Sequence, residues 1–277
     1  MMWLWLSMAS AGTWEVVESV RDDAADVTAP MAERATLQAF FTRVTAYAAA
    51  NSVPPDLDAR CLELDLTCTR GDRVLYVHGG VNTGRGLFAV RLGRKTAPLV
   101  VAAPHGWFDL NTGRMASDWF DDGYARVLVI NTAHRYGGTE GERRDDADVA
   151  HSPDTAFQSM VLGASDGLSD PLVVQVHGFS ERHGDFSAVV SDGETLQPNT
   201  LVSDVADAVA AAVGGDVRRG YEVPLLAATQ NAQGRAVSGR GRFVHIELSR
   251  DSRYALRGDD VVAKRLGERL ADLAESP

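Results

Sequence analysis

The chain has 277 residues, 45% apolar and 23% charged, which suits one large α/β domain with its own core rather than a disordered or disulfide-dense protein. Its net charge of -11 argues against a nucleic-acid partner, because phosphate binding needs a basic face. No segment is long and apolar enough to predict a membrane span.

Residues 1–28 read as a separate N-terminal segment. The apolar run Met2 to Met8, followed by Ala9-Ser10-Ala11, has the h-region and small-residue site of a signal peptide but no preceding Lys or Arg. Two readings stand: an export signal, placing the protein in the periplasm or outside the cell, or a buried N-terminal segment of a cytoplasmic protein. From residue 29 to 277 a single α/β domain is expected, and residues 29–94 form its N-terminal helix and β-meander. Leu37, Phe40, Phe41, Val44 and Tyr47 recur at helical steps and predict a helix over Ala29 to Asn51. The segments CLELDLTC, RVLYVHGG and GLFAVRLG then predict an antiparallel meander at a sheet edge. Cys61 and Cys68, seven residues apart on one extended strand, could not touch; a turn between them permits a disulfide, and two unpaired cysteines are the alternative.

From Pro98 the pattern changes. LVVAAPH, RVLVINTA, LVVQVHG and FVHIELS are continuous apolar runs, as in strands buried on both faces. Helical segments lie between and after them, at Gly113 to Asp122, Pro153 to Gly163, Leu201 to Val213 and Asp259 to Glu275. The alternation predicts a three-layer α/β/α domain with a mixed central sheet. Sites in such sheets lie beyond the carboxyl ends of the strands.

His105 follows the first of these strands, between Pro104 and Gly106, and Asp109 lies four residues on. His177 ends the third strand, again before a glycine, Gly178. Together His105, Asp109 and His177 supply the three nitrogen and oxygen ligands that a catalytic Zn2+ takes while keeping a position for water. Asp118, one helix beyond His105, is the reserve ligand should Asp109 be elsewhere. In the last strand, alternation places His245, Glu247 and Ser249 on one face. A Glu in an apolar strand is costly unless paired or functional; Glu247 is either a salt-bridge partner of Arg250, Arg253 or Arg257, or the base that activates a water on the metal. Arg135, at the end of the second strand, can fork onto a substrate carboxylate, and His134 beside it orients substrate or caps the loop. Gly137 to Ser152, charged and aperiodic, reads as a lid.

The order Pro104-His105-Gly106, Asp109 ahead of Thr112-Gly113-Arg114, His177, and Glu247-Leu248-Ser249-Arg250 resembles the N-formylglutamate amidohydrolases. Their pattern is a PHSG-like strand end, a DxGA-like segment, a later His and a terminal E-x-S-R strand. The resemblance runs from about Pro98 to Arg257. It departs from the family at Asn131 to Arg135 (NTAHR), where a DLNR-like segment is expected, and at Val176-His177, where an Asp-His pair is expected. It implies a phosphorylase/hydrolase-like fold and zinc-dependent hydrolysis of an amide or peptide bond, and is distantly similar to zinc carboxypeptidases. On this reading Asn131, His134, Arg135, Arg250 and Arg253 contact a small-molecule or peptide substrate carrying a carboxylate. The alternatives are a catalytically degenerate metal- or ligand-binding protein of the same fold, or a cell-wall-peptide amidase.

Overall fold

The computed structural model describes residues 12–21, 29, 31–80, 83–93, 95–137 and 147–276. Among the described residues three helices come first: α1 (Thr13–Ser19), α2 (Met31–Ala49) and α3 (Leu57–Glu63). An antiparallel meander follows, β1 (Leu66–Arg70), β2 (Val74–Gly79) and β3 (Leu87–Arg91). The first half of CLELDLTC is therefore helix, not strand. Asp65, at φ 52°, turns the chain between helix and strand, and that turn brings Cys61 and Cys68 together as a disulfide. The first eleven residues, which carry the signal-peptide pattern, lie outside the described residues. Helix α1 just after them buries Val16 and Val17 in the domain core.

The remainder alternates: β4 (Leu99–Ala103), α4 (Thr112–Asp121), β5 (Val127–Ile130), α5 (Ala156–Asp166), β6 (Leu172–Gly178), β7 (Ala188–Ser191), α6 (Thr200–Val213), β8 (Val217–Arg219), α7 (Ala232–Val237), β9 (Arg242–Leu248), α8 (Arg250–Gly258) and α9 (Asp260–Glu275). Strands β7 and β8 and helices α7 and α8 add to the elements expected from the sequence. Among the described residues nine strands form one mixed sheet in the order β1-β2-β3-β5-β4-β6-β9-β7-β8. The centre, β5-β4-β6-β9, is parallel, and antiparallel pairs flank it through β3 and β7.

Strand alternation divides the apolar side chains between two faces. Leu99, Val101, Val174, Val176, Val244 and Ile246 pack with α1, α4, α6, α8 and α9. Val100, Ala102, Val173 and Phe243 pack with α2, α3, α5 and α7. This is a three-layer α/β/α domain, and it stacks the carboxyl ends of β4, β6 and β9 side by side. Ser249 closes the last strand by capping α8, its hydroxyl accepting from Ser252 N–H. Among the described residues, no helix is long and apolar enough to cross a membrane.

Candidate metal centre

The loop after β4 carries His105 and Asp109 inward, and Asp109 N–H closes it on the His105 carbonyl. This turn runs against the start of α4: a Cβ on Gly106 would lie 3.3 Å from the Gly113 backbone. The glycine after His105 thus serves a close backbone approach. The glycine after His177 does similar work, since a Cβ on Gly178 would stand 2.4 Å from the Arg253 guanidinium.

His105, Asp109 and His177 meet, each buried, with one ligand atom of each within 4.8 Å of the others. Asp109 Oδ2 is 3.4 Å from His105 Nδ1 and 3.6 Å from His177 Nδ1. Metal bonds near 2 Å in a tetrahedral site put donor atoms about 3.3 Å apart, so the trio has the span for one ion. The outer nitrogen of each ring is already engaged. His105 Nε2 is 2.8 Å from Asp148 Oδ1, and His177 Nε2 is 2.9 Å from Gln175 Oε1. His105 Nδ1 is buried with no hydrogen-bond partner. Two imidazoles oriented from behind, each turning Nδ1 to a shared carboxylate oxygen, form a donor set suited to zinc.

The charges agree with that layout. Burial pushes Asp109 up, but the His105 and His177 rings outweigh it and hold its carboxyl well below the usual range. Burial opposes the charged form of His105 as well, yet the Asp109 and Asp148 carboxylates beside its ring raise it. Burial takes His177 down to about 4 against the pull of Asp109.

Glu247 lies opposite His177 in the β6–β9 register. Its side chain keeps 13% exposure and sits 3.7 Å from His245 Nε2. Its Oε2 is buried without a hydrogen-bond partner. Burial, and then the Asp109 charge, push its carboxyl up to about 8. The arginines offered as its salt-bridge partners are engaged elsewhere. Arg253 donates to the carbonyls of Leu110 and Ser249, Arg257 pairs with Asp118, and Arg250 lies over the Tyr254 ring. Asp118, the reserve ligand, is by that pairing on the outer side of α4, away from the trio.

The residues expected to touch substrate divide. Asn131 is buried and its amide is committed to backbone: it donates to Pro104 and Ala133 carbonyls and accepts from Ala133 N–H. Arg253, 7% exposed, is likewise spent on carbonyls. Both brace the site's frame, and Arg253 also lines the cleft that reaches Asp109. Arg135 donates to Asp148 Oδ2 at 2.7 Å. His134 accepts from Tyr136 N–H and meets Phe108 edge-on. Arg250 is exposed and borders, with Arg182, Phe108 and Phe179, a cleft of about 550 Å³ that reaches Asp109.

Asp148 went unrecognised in the sequence. It binds His105, Arg135 and His151 together. It stands in the charged stretch read as a lid, of which residues 138–146 lie outside the described residues, and nothing in its spacing marks it. Gln175 did leave a signal: it is a polar residue in an apolar strand, two residues from His177 and on the same face.

No protein-family model and no curated protein matches the chain. Among solved structures it is similar to N-formylglutamate amidohydrolase from Ralstonia eutropha JMP134, at 15% identity over 65% of this chain and 93% of that one, with a TM-score of 0.43. It is also similar to a bacteriophage poly-gamma-glutamate hydrolase, at 14% identity over 68% and 86% of the two chains, with a TM-score of 0.35. A third is a metallo-carboxypeptidase from Burkholderia cenocepacia, at 10% identity over 79% and 68%, with a TM-score of 0.41.

Proposed function

We propose that the protein is a zinc-dependent hydrolase of an amide or peptide bond. The observation that carries the reading is the convergence of His105 Nδ1, His177 Nδ1 and Asp109 Oδ2 in a buried pocket with Glu247 beside it. His105, Asp109 and His177 would hold the ion. Zinc bound there supplies a water of lowered pKa and a Lewis acid for the scissile carbonyl.

Glu247 is the proton carrier. A carboxylate with an unpaired oxygen beside the trio can take a proton from an attacking water and return it to the leaving amine. Its elevated pKa belongs to the ion-free pocket, where Asp109 opposes its charge; a divalent cation alongside would draw it back down. Arg250, exposed on the cleft, is placed to receive a substrate carboxylate by a charge-assisted hydrogen bond. Phe108 and His134 form an aromatic wall nearby. Asp148 keeps the His105 ring turned to the ion and ties Arg135 to the same point.

The test is turnover by zinc-loaded protein on a panel of N-acyl amino acids and short peptides, with the released amine measured. Wild-type protein is expected to hydrolyse at least one class. Glu247→Gln is expected to keep its zinc and lose turnover. Zinc-loaded protein inert to the whole panel would favour a metal-binding protein without catalysis.

A further inference from the structure

The His177 side of the centre contains a second system that zinc hydrolysis alone does not call for. Four buried amides, Gln158, Gln175, Asn231 and Gln233, form a connected set behind the ring, at 6%, 0%, 2% and 0% exposure. We propose that Gln175 and Gln233 are positioning residues for metal capture: they relay a fixed hydrogen-bond direction from the Val149 carbonyl to His177 and leave its Nδ1 bare. This rests on the zinc reading above.

The oxygen and nitrogen of an amide are easily interchanged, so the direction of such a relay must come from groups with only one role. Two backbone groups provide it. The Val149 carbonyl can only accept. Gln233 Nε2, 2.9 Å from it, therefore donates, and gives its other proton to Gln158 Oε1 at 2.6 Å. Gln233 Oε1 is left to accept from Gln175 Nε2 at 3.0 Å. That turns Gln175 Oε1 toward His177. The second anchor, Gly234 N–H, can only donate. It fixes Asn231 Oδ1 as acceptor at 2.9 Å, so Asn231 Nδ2 is the donor that meets Gln175 Oε1. Both anchors give the same orientation.

Gln175 Oε1 has no proton to give, so His177 Nε2 must carry one. A neutral imidazole has a single N–H. His177 Nδ1 is then a lone pair facing the Asp109 carboxylate, an arrangement favourable only with a positive charge between them. The centre's two sides share one origin. The Asp148 carboxylate orients His105, and the carbonyl of the next residue, Val149, terminates the relay that orients His177. One dipeptide thereby sets both rings.

A packing role and a positioning role make opposite predictions at Gln175. If the amide only fills space, Gln175→Leu is tolerated and a buried Gln175→Glu is not. If it positions, Gln175→Glu retains the acceptor for His177 Nε2–H and Gln175→Leu removes it. Zinc affinity measured by competition with a chromophoric chelator, per folded chain, distinguishes them, with the Co2+ absorption spectrum as a report of ligand geometry. The expectation is a loss of about 10- to 100-fold for Gln175→Leu, as for other outer-shell partners of metal-binding histidines. Gln175→Glu, which keeps the acceptor for His177 and loses only the donor to Gln233 Oε1, should bind zinc more tightly than Gln175→Leu, and Gln233→Leu should fall between Gln175→Leu and wild type. Wild-type zinc binding matched by Gln175→Leu, with an unchanged Co2+ spectrum, would overturn the inference, as would Gln175→Glu binding more weakly than Gln175→Leu. The ¹⁵N resonances of His177 in metal-free wild-type protein test the relay with no change to its members and no bound ion. An Nε2–H tautomer supports it and Nδ1–H overturns it, whereas absent zinc uptake with the Nε2–H tautomer would count against the zinc reading alone.

Discussion

Strands β6 and β9 present two faces built from alternate residues of the same segments. One face carries Leu172, Val174, Val176, Val244, Ile246 and Leu248, all at most 1% exposed and packed into apolar core. The other carries Val173 and Phe243 at the amino end, then Gln175 and His177 beside His245 and Glu247. Both faces are covered by helices, so water does not explain the difference. Burying that many polar groups is unfavourable unless each is paired. Most on the polar face are paired. The exceptions, His245 Nδ1 and Glu247 Oε2, gather with His105 Nδ1 around the trio. On β6 and β9 the unpaired atoms thus stand on the polar face beside the trio, while the opposite face is filled with Val, Leu and Ile.

Substitutions on the two faces should separate chemistry from stability. Glu247→Gln is expected to lower kcat by about 10²- to 10⁴-fold, the usual worth of a proton-transfer group, with zinc content unchanged by metal analysis. Ile246→Ala, one residue away on the apolar face, should cost about 2–5 kcal/mol of stability in denaturant unfolding. Its zinc stoichiometry per folded chain should be untouched; equal damage to metal binding would break the comparison. Arg250→Ala at the cleft should raise KM for carboxylate substrates about 10- to 100-fold, the worth of one hydrogen bond to a charged group, and leave kcat nearly constant.

A further effect concerns pH. Glu247 is pushed from 4.5 to about 8 in the ion-free protein. A carboxyl raised on folding binds its proton more tightly in the native state, so its contribution is fully present below 4.5 and is lost as pH rises through 8. Metal-free Glu247→Gln should therefore melt above wild type at pH 9, with the gap closing toward pH 5. A gap constant with pH would contradict the assignment.

The parallel centre of the sheet was legible because its strands are buried on both faces and read as unbroken apolar runs. His105, Asp109, His177 and Glu247 were legible because polar residues interrupt or follow those runs, and the strand ends converge by topology. The helix at Leu57–Glu63 was not, because CLELDLTC alternates like a strand while only its second half pairs in the sheet. Asp148, Asn231 and Gln233 were hidden for another reason. They reach the site from a charged stretch, a helix cap and a six-residue helix, where neither period nor composition separates them from surface residues. The backbone partners of Asn131 and Arg253 were not legible either, because a polar residue beside a site can serve a neighbouring carbonyl as readily as a ligand.

The most direct measurement is the zinc content of purified protein after loading and removal of excess, for wild type and for His177→Ala. One zinc per wild-type chain, lost in a folded His177→Ala, is the predicted result. Wild-type protein without stoichiometric zinc, or His177→Ala that retains it, would contradict the account.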